Sequence, residues 1–406
     1  MNRWLSWRNV WRNPTRSAVV ITAIALGVFG GVFSMAFVNG MSQGRITSGI
    51  ANEVGDIQVH DSRYVKNPDI YAGFYDSNEL LRLVRTTRGV RAATARLHLT
   101  GMASTAATGN GVQIIGVIPD DELAVSGIPA NTVKGRYLDE TGRNPIIIGK
   151  KLADKLKVGL KSKVVITLQG FDSLLVGGAF KVSGIYQTQN STFDEMTVFV
   201  RFDDLKACAS IPAGFAHEIV ARVDDSRKAD QTADAIRPRM KGNVVVQTWR
   251  QLAPDLAMLD GFMNYMMYLF LAIILAALAF GIVNTMLMVI IERRRELGML
   301  IAVGMTRPRV FRMIMAETIL LSLTGGIIGM SLAAAGIGVA NRYGIDLSSV
   351  SQGLSAIGLG TVIHPSVDPV LFIIMTVMIV VTATLSALYP AFKTMGINPA
   401  TAIRNG

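Results

Sequence analysis

Residues of types that could perform chemistry occur first at His217 and Glu218, which open the segment HEIVA. This segment begins like the zinc-protease motif HExxH, which binds metal because its two histidines lie one helical turn apart. Ala221 occupies the position of the second histidine, and the surrounding residues are typical of a strand. We therefore expect no zinc site here. The other histidines are scattered along the sequence and suggest no metal site: His60, His98 and His364.

Two further segments resemble a nucleophile motif and a phosphate-binding loop. GMSQG at 40–44 matches GxSxG, which needs a strand before its serine. It follows an apolar helical segment instead, so we interpret it as a flexible exit from that helix. GRNPIIIGKK at 142–151 has the wrong glycine spacing for GxxxxGK[ST], and Lys151 replaces the required Ser or Thr. We therefore predict no catalytic residue, no bound nucleotide and no cofactor in this chain.

The densest charge lies in residues 292–312, ERRRELGMLIAVGMTRPRVFR, which contain six arginines and two glutamates. The net charge of the chain is +11 at pH 7. Almost all of this excess lies in three short segments, 1–16, 292–312 and 393–406, which flank apolar stretches. This distribution is typical of the cytoplasmic loops of a membrane protein. A nucleic-acid partner is therefore not expected.

Four apolar segments are long enough to cross a bilayer, which takes about 20 apolar residues as a helix. They are residues 17–39, 262–291, 313–340 and 370–392. The first could be a secretory signal peptide, but its apolar part exceeds the roughly 7–15 residues usual for one. We therefore predict a retained span. The single cysteine, Cys208, excludes an internal disulfide.

The basic segments also predict the orientation of the chain, because short loops rich in Lys and Arg stay in the cytoplasm. With four spans, residues 1–16, 292–312 and 393–406 all fall on the cytoplasmic side. Residues 40–261 and the 341–369 loop fall outside. The predicted fold class is therefore a membrane protein with four transmembrane α-helices and a large mixed α/β extracytoplasmic domain between the first and second.

The composition of residues 1–16 is typical of a membrane surface. Trp4, Trp7 and Trp11 fall within one sector of a helix and are flanked by arginines. This suits either a helix lying in the lipid interface or an aromatic belt at the start of the first span. Either arrangement anchors the N-terminal segment at the membrane.

The second span is longer than a bilayer requires. Residues 262–291 would form a helix of about 45 Å, against a hydrocarbon core of about 30 Å. We predict that the excess emerges as a stalk beneath the outer domain, approached by a helical segment, TWRQLAPDLAMLDG.

Small residues in the spans are suited to close helix packing in lipid, including packing between protomers, although apolar spans are rich in glycine in any case. They are Gly27 and Gly31 in the first span and Gly325, Gly326 and Gly329 in the third. Glu317 lies about one turn into the third span. Because an acid inside a bilayer is costly, we expect this carboxylate to be solvated or paired with an arginine.

The outer segment alternates short apolar runs with turns, which predicts mixed α/β structure, with one or two subdomains. Helices are predicted at 77–85, where Ser77 could cap the first turn, and at 150–157. The predicted strands are 110–118, 144–149, 163–169, 179–187, 196–202 and 217–223.

The charged segment 292–312 contains signals for a short helix-turn-helix. Gly304 suits a helix C-terminus, Thr306 could cap the next helix, and Pro308 is tolerated in its first turn. An apolar patch precedes the turn, formed by Leu297, Leu300, Ile301 and Val303. Exposed apolar side chains among arginines would suit docking into a groove of another protein. A basic loop lying on anionic lipid headgroups explains the charge equally well.

At these residues the sequence resembles the FtsX/MacB-like permease family, whose members work with a separate or fused ABC-type ATPase. Residues 284–329, NTMLMVIIERRRELGMLIAVGMTRPRVFRMIMAETILLSLTGGIIG, look like the family's second span, coupling segment and third span. LYPAFKTMGINPATAIR at 388–404 resembles its closing motif, although Thr401 stands where an acid is common. Residues 135–168 and 180–207 resemble its outer core domain.

The resemblance implies that residues 292–312 contact or position a partner ATPase. The residues carried over to this role are Glu292, Arg293, Arg294, Arg295, Glu296, Leu297, Gly298, Ala302, Gly304, Met305, Arg307 and Arg309. It further implies two permease protomers, identical or different, in a bacterial inner membrane. Two ATPase subunits would bind ATP and Mg²⁺, so this chain is not itself an enzyme. Nucleotide-driven motion would pass to the outer domains.

Within the family, we favour the LolC/LolE-like lipoprotein-releasing branch, because this chain has no ATPase and its outer domain is large. A lipoprotein or a periplasmic protein is then a further expected partner. The alternatives are MacB-like export of a peptide, drug or lipid, and FtsX-like regulation of a cell-wall hydrolase. A membrane enzyme is disfavoured because the sequence has no convergent catalytic set.

Overall fold

The computed structural model describes residues 14–138, 143–356, 358–367 and 369–395. The chain forms two compact units. The helical unit comprises Met1–Met41, Phe262–Asp346 and Ile363–Gly406, and the α/β unit comprises Ser42–Gly261 and Leu347–Val362. Several predictions lie outside the described residues: the surface helix with Trp4, Trp7 and Trp11, and the part of the tail that contains Thr401.

The described chain contains fourteen α-helical segments. In chain order they are α1 Pro14–Gly49, α2 Ser62–Lys66, α3 Ser77–Arg85, α4 Pro119–Val125, α5 Lys150–Leu156, α6 Ser191–Met196, α7 Phe202–Cys208, α8 Ala229–Ile236, α9 Trp249–Leu252, α10 Pro254–Glu292, α11 Arg294–Ala302, α12 Arg307–Tyr343, α13 Ser351–Ala356 and α14 Pro369–Met395. The strands are β1 Ile57–Asp61, β2 Val90–Ser104, β3 Gly109–Val117, β4 Thr132–Gly135, β5 Pro145–Gly149, β6 Lys163–Gln169, β7 Leu175–Tyr186, β8 Thr197–Arg201, β9 Glu218–Val223, β10 Val244–Thr248, β11 Ile345–Asp346 and β12 Val362–Ile363.

Four of these helices, α1, α10, α12 and α14, are long and apolar enough to cross a membrane. Each contains one of the segments predicted as a span and extends beyond it. Helix α10 is continuous over 39 residues, about 58 Å at 1.5 Å per residue. Residues 40–44 are helical, so the interpretation of GMSQG as a flexible exit is wrong. Helix α1 continues through this segment, where Ser42 and Arg45 are buried.

Glycines let α1 approach α12 closely in the helical unit. A Cβ atom at Gly329 would lie 2.6 Å from the carbonyl oxygen of Ala25, and one at Gly325 would lie 2.9 Å from Cβ of Ile24. Since real Cβ atoms do not approach so closely, only glycine permits this spacing. A Cβ at Gly326 would lie 3.4 Å from Ile379 of α14, in ordinary contact.

The glycines predicted in the first span face α10. A Cβ at Gly27 would lie 3.0 Å from Leu278, and one at Gly31 would lie 2.9 Å from Ile274. These positions therefore lie at helix contacts within one chain.

Contacts near the helix ends show that the four long helices run in alternating directions through the helical unit. At one end, the Asn39 side chain donates to the Ser366 carbonyl at 3.0 Å, and the Asn341 side chain donates to the Pro365 carbonyl at 2.8 Å. At the other end, Phe311 and Phe392 pack with ring centroids 5.1 Å apart. The start of α12 therefore lies beside the end of α14.

The α/β unit is built on a ten-stranded sheet in the order β10-β1-β9-β2-β3-β8-β5-β7-β4, with β6 pairing β2 and β7. The pairings are antiparallel except for β3 with β8 and β5 with β7. Strands such as β6 alternate buried and exposed residues, because one face packs on a core. Two large hydrophobic cores flank the centre of the sheet, one around Ile146, Val164 and Phe180, the other around Ile57, Ile219 and Trp249.

The predicted strands and helices of this domain are all present. The strand prediction failed at β1, β2, β4 and β10. The long strand β2 contains four alanines and one glycine, which have weak strand preference and hide the pattern. The predicted cap at Ser77 is wrong, since Asp76 precedes α3 and the Ser77 hydroxyl donates to the Gly214 carbonyl at 2.7 Å.

Candidate functional site

The charged segment 292–312 forms a helix, a tight turn and the start of the next helix. Helix α10 ends at Glu292, and Arg293 alone separates it from α11. The N–H of Arg293 bonds to the Val289 carbonyl at 3.1 Å, and the Arg293 carbonyl accepts from the N–H of Leu297 at 2.9 Å. The change of direction between the two helices is therefore confined to one residue.

The turn after α11 depends on Gly304, whose φ of +104° is in the region that favours glycine. The N–H of Gly304 bonds to the Ile301 carbonyl at 3.1 Å, and the N–H of Met305 bonds to the Leu300 carbonyl at 2.9 Å. This pair of bonds is a Schellman motif, which satisfies the last carbonyls of a helix. The prediction that Gly304 ends the helix is confirmed.

Helix α12 begins at Arg307 with Pro308 in its first turn. Thr306 occupies the N-cap position, as predicted, but its side chain makes no capping hydrogen bond. Val310, one turn later, is buried and fixes the start of α12 in the hydrophobic core of the helical unit.

One face of α11 packs against the helical unit. Leu297 and Gly298 are buried, and Ile301 and Met305 pack partly buried against the same core. The predicted exposure of the whole apolar patch is therefore wrong for Leu297, because this side chain anchors α11.

The opposite face of this segment combines apolar and basic side chains. Met299 is 56% exposed and Val303 is 84% exposed. Five arginines of the segment are exposed and form no ion pair within the described part of the chain: Arg294, Arg295, Arg307, Arg309 and Arg312. Glu292, Ala302 and Gly304 are exposed beside them. We call this surface, from Glu292 to Arg309, the coupling surface.

Arg293 connects the coupling surface to the helix that follows it. Its guanidinium bonds to both carboxylate oxygens of Glu317 at 3.1 Å and to Glu296 at 3.1 Å. The side chains of Arg293 and Glu317 are only 11% and 9% exposed. An ion pair this buried resists separation, because removing either partner leaves the other charge unpaired. Glu317 is thus an arginine-paired acid, one of the two arrangements expected from the sequence.

A second feature of the helical unit is an apolar groove between α1 and α10, with a volume of about 520 Å³. Glycines open its floor, since a Cβ atom at Gly30 or Gly281 would meet nothing within 4 Å. Its walls are aliphatic, formed by Ile24, Leu26, Ile274 and Leu278. The groove could hold an extended hydrocarbon chain.

The α/β unit contains a polar cavity of about 930 Å³ that the sequence did not predict. Three of the four histidines, scattered in sequence, come together beside it around Tyr64. The Tyr64 hydroxyl lies 3.0 Å from Nδ1 of His98, and its ring stacks on His60 with centroids 5.2 Å apart. The His217 ring is 5.7 Å from Tyr64. The sequence of β1, IQVHD, contains one indication of this cavity. Polar residues alternate with apolar ones there, so Gln58 and His60 lie on the same face of the strand.

Burial controls the ionisation of this cluster. Desolvation lowers the pKa of His217 to about 4, although a hydrogen bond to the Ile70 carbonyl opposes the shift. Desolvation also lowers the pKa of His60 and raises that of the Tyr64 hydroxyl. His60 and His217 are therefore neutral at pH 7.

Comparison with known proteins matches both units of the chain. The family model of the MacB-like periplasmic core domain matches residues 17–239, and that of the FtsX-like permease C-terminal domain matches residues 268–399.

Two relatives cover most of the chain. The lipoprotein-releasing system transmembrane protein LolC of Neisseria meningitidis serogroup B is 24% identical over 320 residues, 77% of this chain and 74% of that protein. The pyoverdine export ATP-binding/permease protein PvdT of Pseudomonas fluorescens is 24% identical over 361 residues, 85% of this chain and 53% of that protein. Among solved structures, the periplasmic region of MacB from Actinobacillus actinomycetemcomitans aligns with 52% of this chain and 97% of its own, at 10% identity and a TM-score of 0.35.

Proposed function

This chain belongs to the FtsX/MacB-like family of ABC transporter permeases, and we propose that it transmits the motion of an ABC-type ATPase to its own extracytoplasmic domain. Its 406 residues contain no phosphate-binding loop, so the proposal assigns ATP and Mg²⁺ to a partner. The observation that carries the proposal is the coupling surface, whose exposed Met299 and Val303 lie among exposed arginines that form no ion pair with any described residue.

The coupling surface has the two properties that a docking element needs. Its exposed apolar side chains can fill a groove, and its arginines can pair with acidic groups at the rim. Its rear face is fixed to the helical unit by Leu297 and by the Arg293–Glu317 pair. A displacement of α11 would therefore be passed to α12 and would not be lost in a flexible loop.

Lipoprotein release is the transport function that we favour. The groove between α1 and α10 supports it, because aliphatic walls and a glycine floor suit an acyl chain in the membrane. The relative LolC, whose name describes lipoprotein release, matches both units of this chain. The proposed substrate is thus a protein bearing acyl chains.

Export of a smaller molecule is the second candidate. It is favoured by the relative PvdT, a pyoverdine exporter by name, which aligns with a larger share of this chain. The same groove would then bind an apolar part of the exported molecule.

The proposed assembly contains two permease protomers and two ATPase subunits in a bacterial inner membrane. The coupling surface and both termini would be cytoplasmic, and the α/β unit would lie outside. The arginines of residues 292–312 support this orientation, since basic loops stay in the cytoplasm.

Co-purification tests the ATPase partnership. We expect the detergent-solubilised chain to retain an ABC-type ATPase, and the double variant Met299→Asp/Val303→Asp to lose it. Leu123→Asp is the control, because Leu123, at 62% exposure, is an exposed apolar residue of the α/β unit. Retention of the ATPase by the double variant would refute the role of the coupling surface.

Mass spectrometry of the purified complex tests the substrate. We expect acylated protein in the wild-type complex and less of it in Gly30→Leu, which fills the groove. Gly338→Leu, at another open glycine position of the helical unit, is the control. A small molecule in place of acylated protein would favour the export function.

A further inference from the structure

The polar cavity of the α/β unit contains a buried carboxylate that, among the described residues, shares its one nearby cation with a second buried acid. Glu218, on β9, lines the cavity with its side chain only 6% exposed. Within the described residues, its carboxylate accepts no hydrogen bond. The nearest cation is the Arg96 guanidinium, 3.7 Å away.

Arg96 compensates Glu218 only in part, because its guanidinium is shared with another acid. Its guanidinium makes a two-pronged ion pair with Glu122, with Nε donating to Oε2 at 3.2 Å and one terminal nitrogen bonding to Oε1. Glu122 is fully buried. One guanidinium between two buried carboxylates leaves one negative charge in excess. A buried charge of this kind is costly unless a cation compensates it.

The nearby histidines do not supply the missing positive charge. His60 pairs directly opposite Glu218 in the sheet, but burial lowers the pKa of His60 and keeps it neutral at pH 7. Its Nε2 lies 2.8 Å from Gln58, whereas its Nδ1 is buried and has no hydrogen-bond partner among the described residues. The cavity thus contains two polar groups, each more than nine-tenths buried, that are incompletely satisfied within the described residues: the Glu218 carboxylate, which has only a share of Arg96, and Nδ1 of His60.

The rest of the lining is suited to an organic cation. Tyr64 and Phe193 contribute aromatic rings, whose faces attract cations. Four other glutamine side chains can bond to polar groups of a ligand: Gln113, Gln169, Gln247 and Gln251. At about 930 Å³ the cavity is of the size that holds small organic ligands and is far larger than a single ion needs. Among the described residues, no group of three acidic, histidine or cysteine side chains is arranged to hold a metal ion.

We propose that this cavity binds a small organic ammonium ion, with the Glu218 carboxylate as its counter-ion. The ammonium group would donate to Glu218, and Tyr64 would contact the organic part. Asp69, an exposed acid that also lines the cavity, would attract the cation during entry.

Isothermal titration calorimetry on the full-length protein in a non-ionic detergent tests this proposal, with benzylammonium chloride as the probe. Benzyl alcohol, of nearly the same shape but uncharged, is the ligand control. We expect saturable binding of benzylammonium and none of benzyl alcohol. Glu218→Gln should weaken binding roughly tenfold or more, because it removes a hydrogen bond to a charged group. Glu79→Gln, at an exposed acid on α3, should bind like the wild type.

A second pair of variants keeps the test decisive if Glu218→Gln does not fold. Gln113 is exposed and lines the cavity, so substitutions there should not disturb the core. Gln113→Glu should strengthen the binding of benzylammonium by about threefold, and Gln113→Lys should weaken it by a similar factor. Equal affinity in these two variants, or equal binding of the alcohol and the ammonium ion, would overturn the proposal.

Discussion

Arg293 and Glu317 are joined by two hydrogen bonds of 3.1 Å across 24 residues of sequence. Arg293 is the single residue between α10 and α11, and Glu317 lies in the third turn of α12. The pair therefore fixes the orientation of α11 relative to the helix that follows it. Glu317 is a positioning residue, because it lies outside the coupling surface, which ends at Arg309.

Arg293→Ala should destabilise the protein by about 1–3 kcal/mol, because it leaves the Glu317 carboxylate buried without its partner. A fall in the thermal unfolding temperature of the purified protein would measure this effect. Arg294→Ala is the control, since Arg294 is exposed and unpaired within the described residues. The exchange variant Arg293→Glu/Glu317→Arg should recover part of the loss. An unchanged unfolding temperature in Arg293→Ala would contradict the structural role of the pair.

Gly304→Val should impair the ATP-dependent transport that we propose, because valine disfavours the φ of +104° at this turn by about 1–2 kcal/mol. No atom lies within 4 Å of the added Cβ position, so the effect would come from the backbone alone. The rate of ATP-driven transport in reconstituted vesicles is the measurement. Gly338→Ala has the same open surroundings in a helix and should leave transport unchanged. Wild-type transport by Gly304→Val would show that the turn is not required.

Gly329→Ala should lower stability by about 1–3 kcal/mol, because its Cβ would lie 2.6 Å from the Ala25 carbonyl and force α1 and α12 apart. Thermal unfolding in detergent measures the loss. At Gly281 the same substitution meets nothing within 4 Å and should be neutral or stabilising. If the two alanine variants unfold at the same temperature, the close approach of these helices does not depend on glycine.

Arg96→Met should be among the most destabilising single changes in the α/β unit, by about 3–5 kcal/mol, since it leaves Glu122 and Glu218 without their cation. Denaturant unfolding monitored by tryptophan fluorescence would detect it. Removing the charge of both acids in the same chain, with Glu122→Gln and Glu218→Gln, should restore much of the stability. Arg85→Met, at a half-exposed ion pair with Asp121, should cost little. A small effect of Arg96→Met would mean that the acids are neutral in the folded protein.

Acidification should destabilise the protein through His217. The pKa of His217 is about 4 in the folded protein, below its ordinary value of 6.5. Between these values the unfolded chain binds more protons, so the free energy of unfolding falls as the pH falls, by up to about 3 kcal/mol.

Asp194 acts in the opposite direction over part of this range. Burial raises the pKa of its carboxyl to about 6, so acidification stabilises the folded state through this group. The effect of His217 is therefore isolated by comparing the pH dependence of the free energy of unfolding of the wild type with that of His217→Gln. The wild type should lose more stability than the variant between pH 7 and pH 4, in denaturant titrations at each pH. Parallel pH profiles would show that His217 is not buried in its neutral form.

The sequence predicted the helices more completely than it predicted the polar cavity, and the difference has a physical cause. Spans such as α12 and the turn at Gly304 depend on local composition and backbone conformation, which short segments encode. The cavity depends on β1, β2 and β9, which bring His60, Arg96 and Glu218 side by side from distant parts of the chain. Such pairing is non-local, and single strands carry no signal of their neighbours.

The sequence also predicted only in part which apolar side chains of α11 and the following turn are exposed. The sequence identified an apolar patch, but burial of Leu297 and exposure of Met299 and Val303 follow from the direction in which α11 leaves α10. That direction is set by Arg293 and its tertiary partner Glu317, 24 residues away.

Strand β2 links the two halves of the α/β unit in unfolding. Its residues 90–96 pair with β9, and its residues 97–104 pair with β3, with β6 joining at 101–104. Ala93 and Ala95 pack in one hydrophobic core, and Leu97 and Leu99 pack in the other. Neither core can come apart without breaking hydrogen bonds along this strand. The amide protons of β2 should accordingly be among the slowest in the domain to exchange with deuterated solvent, and the two halves should unfold together.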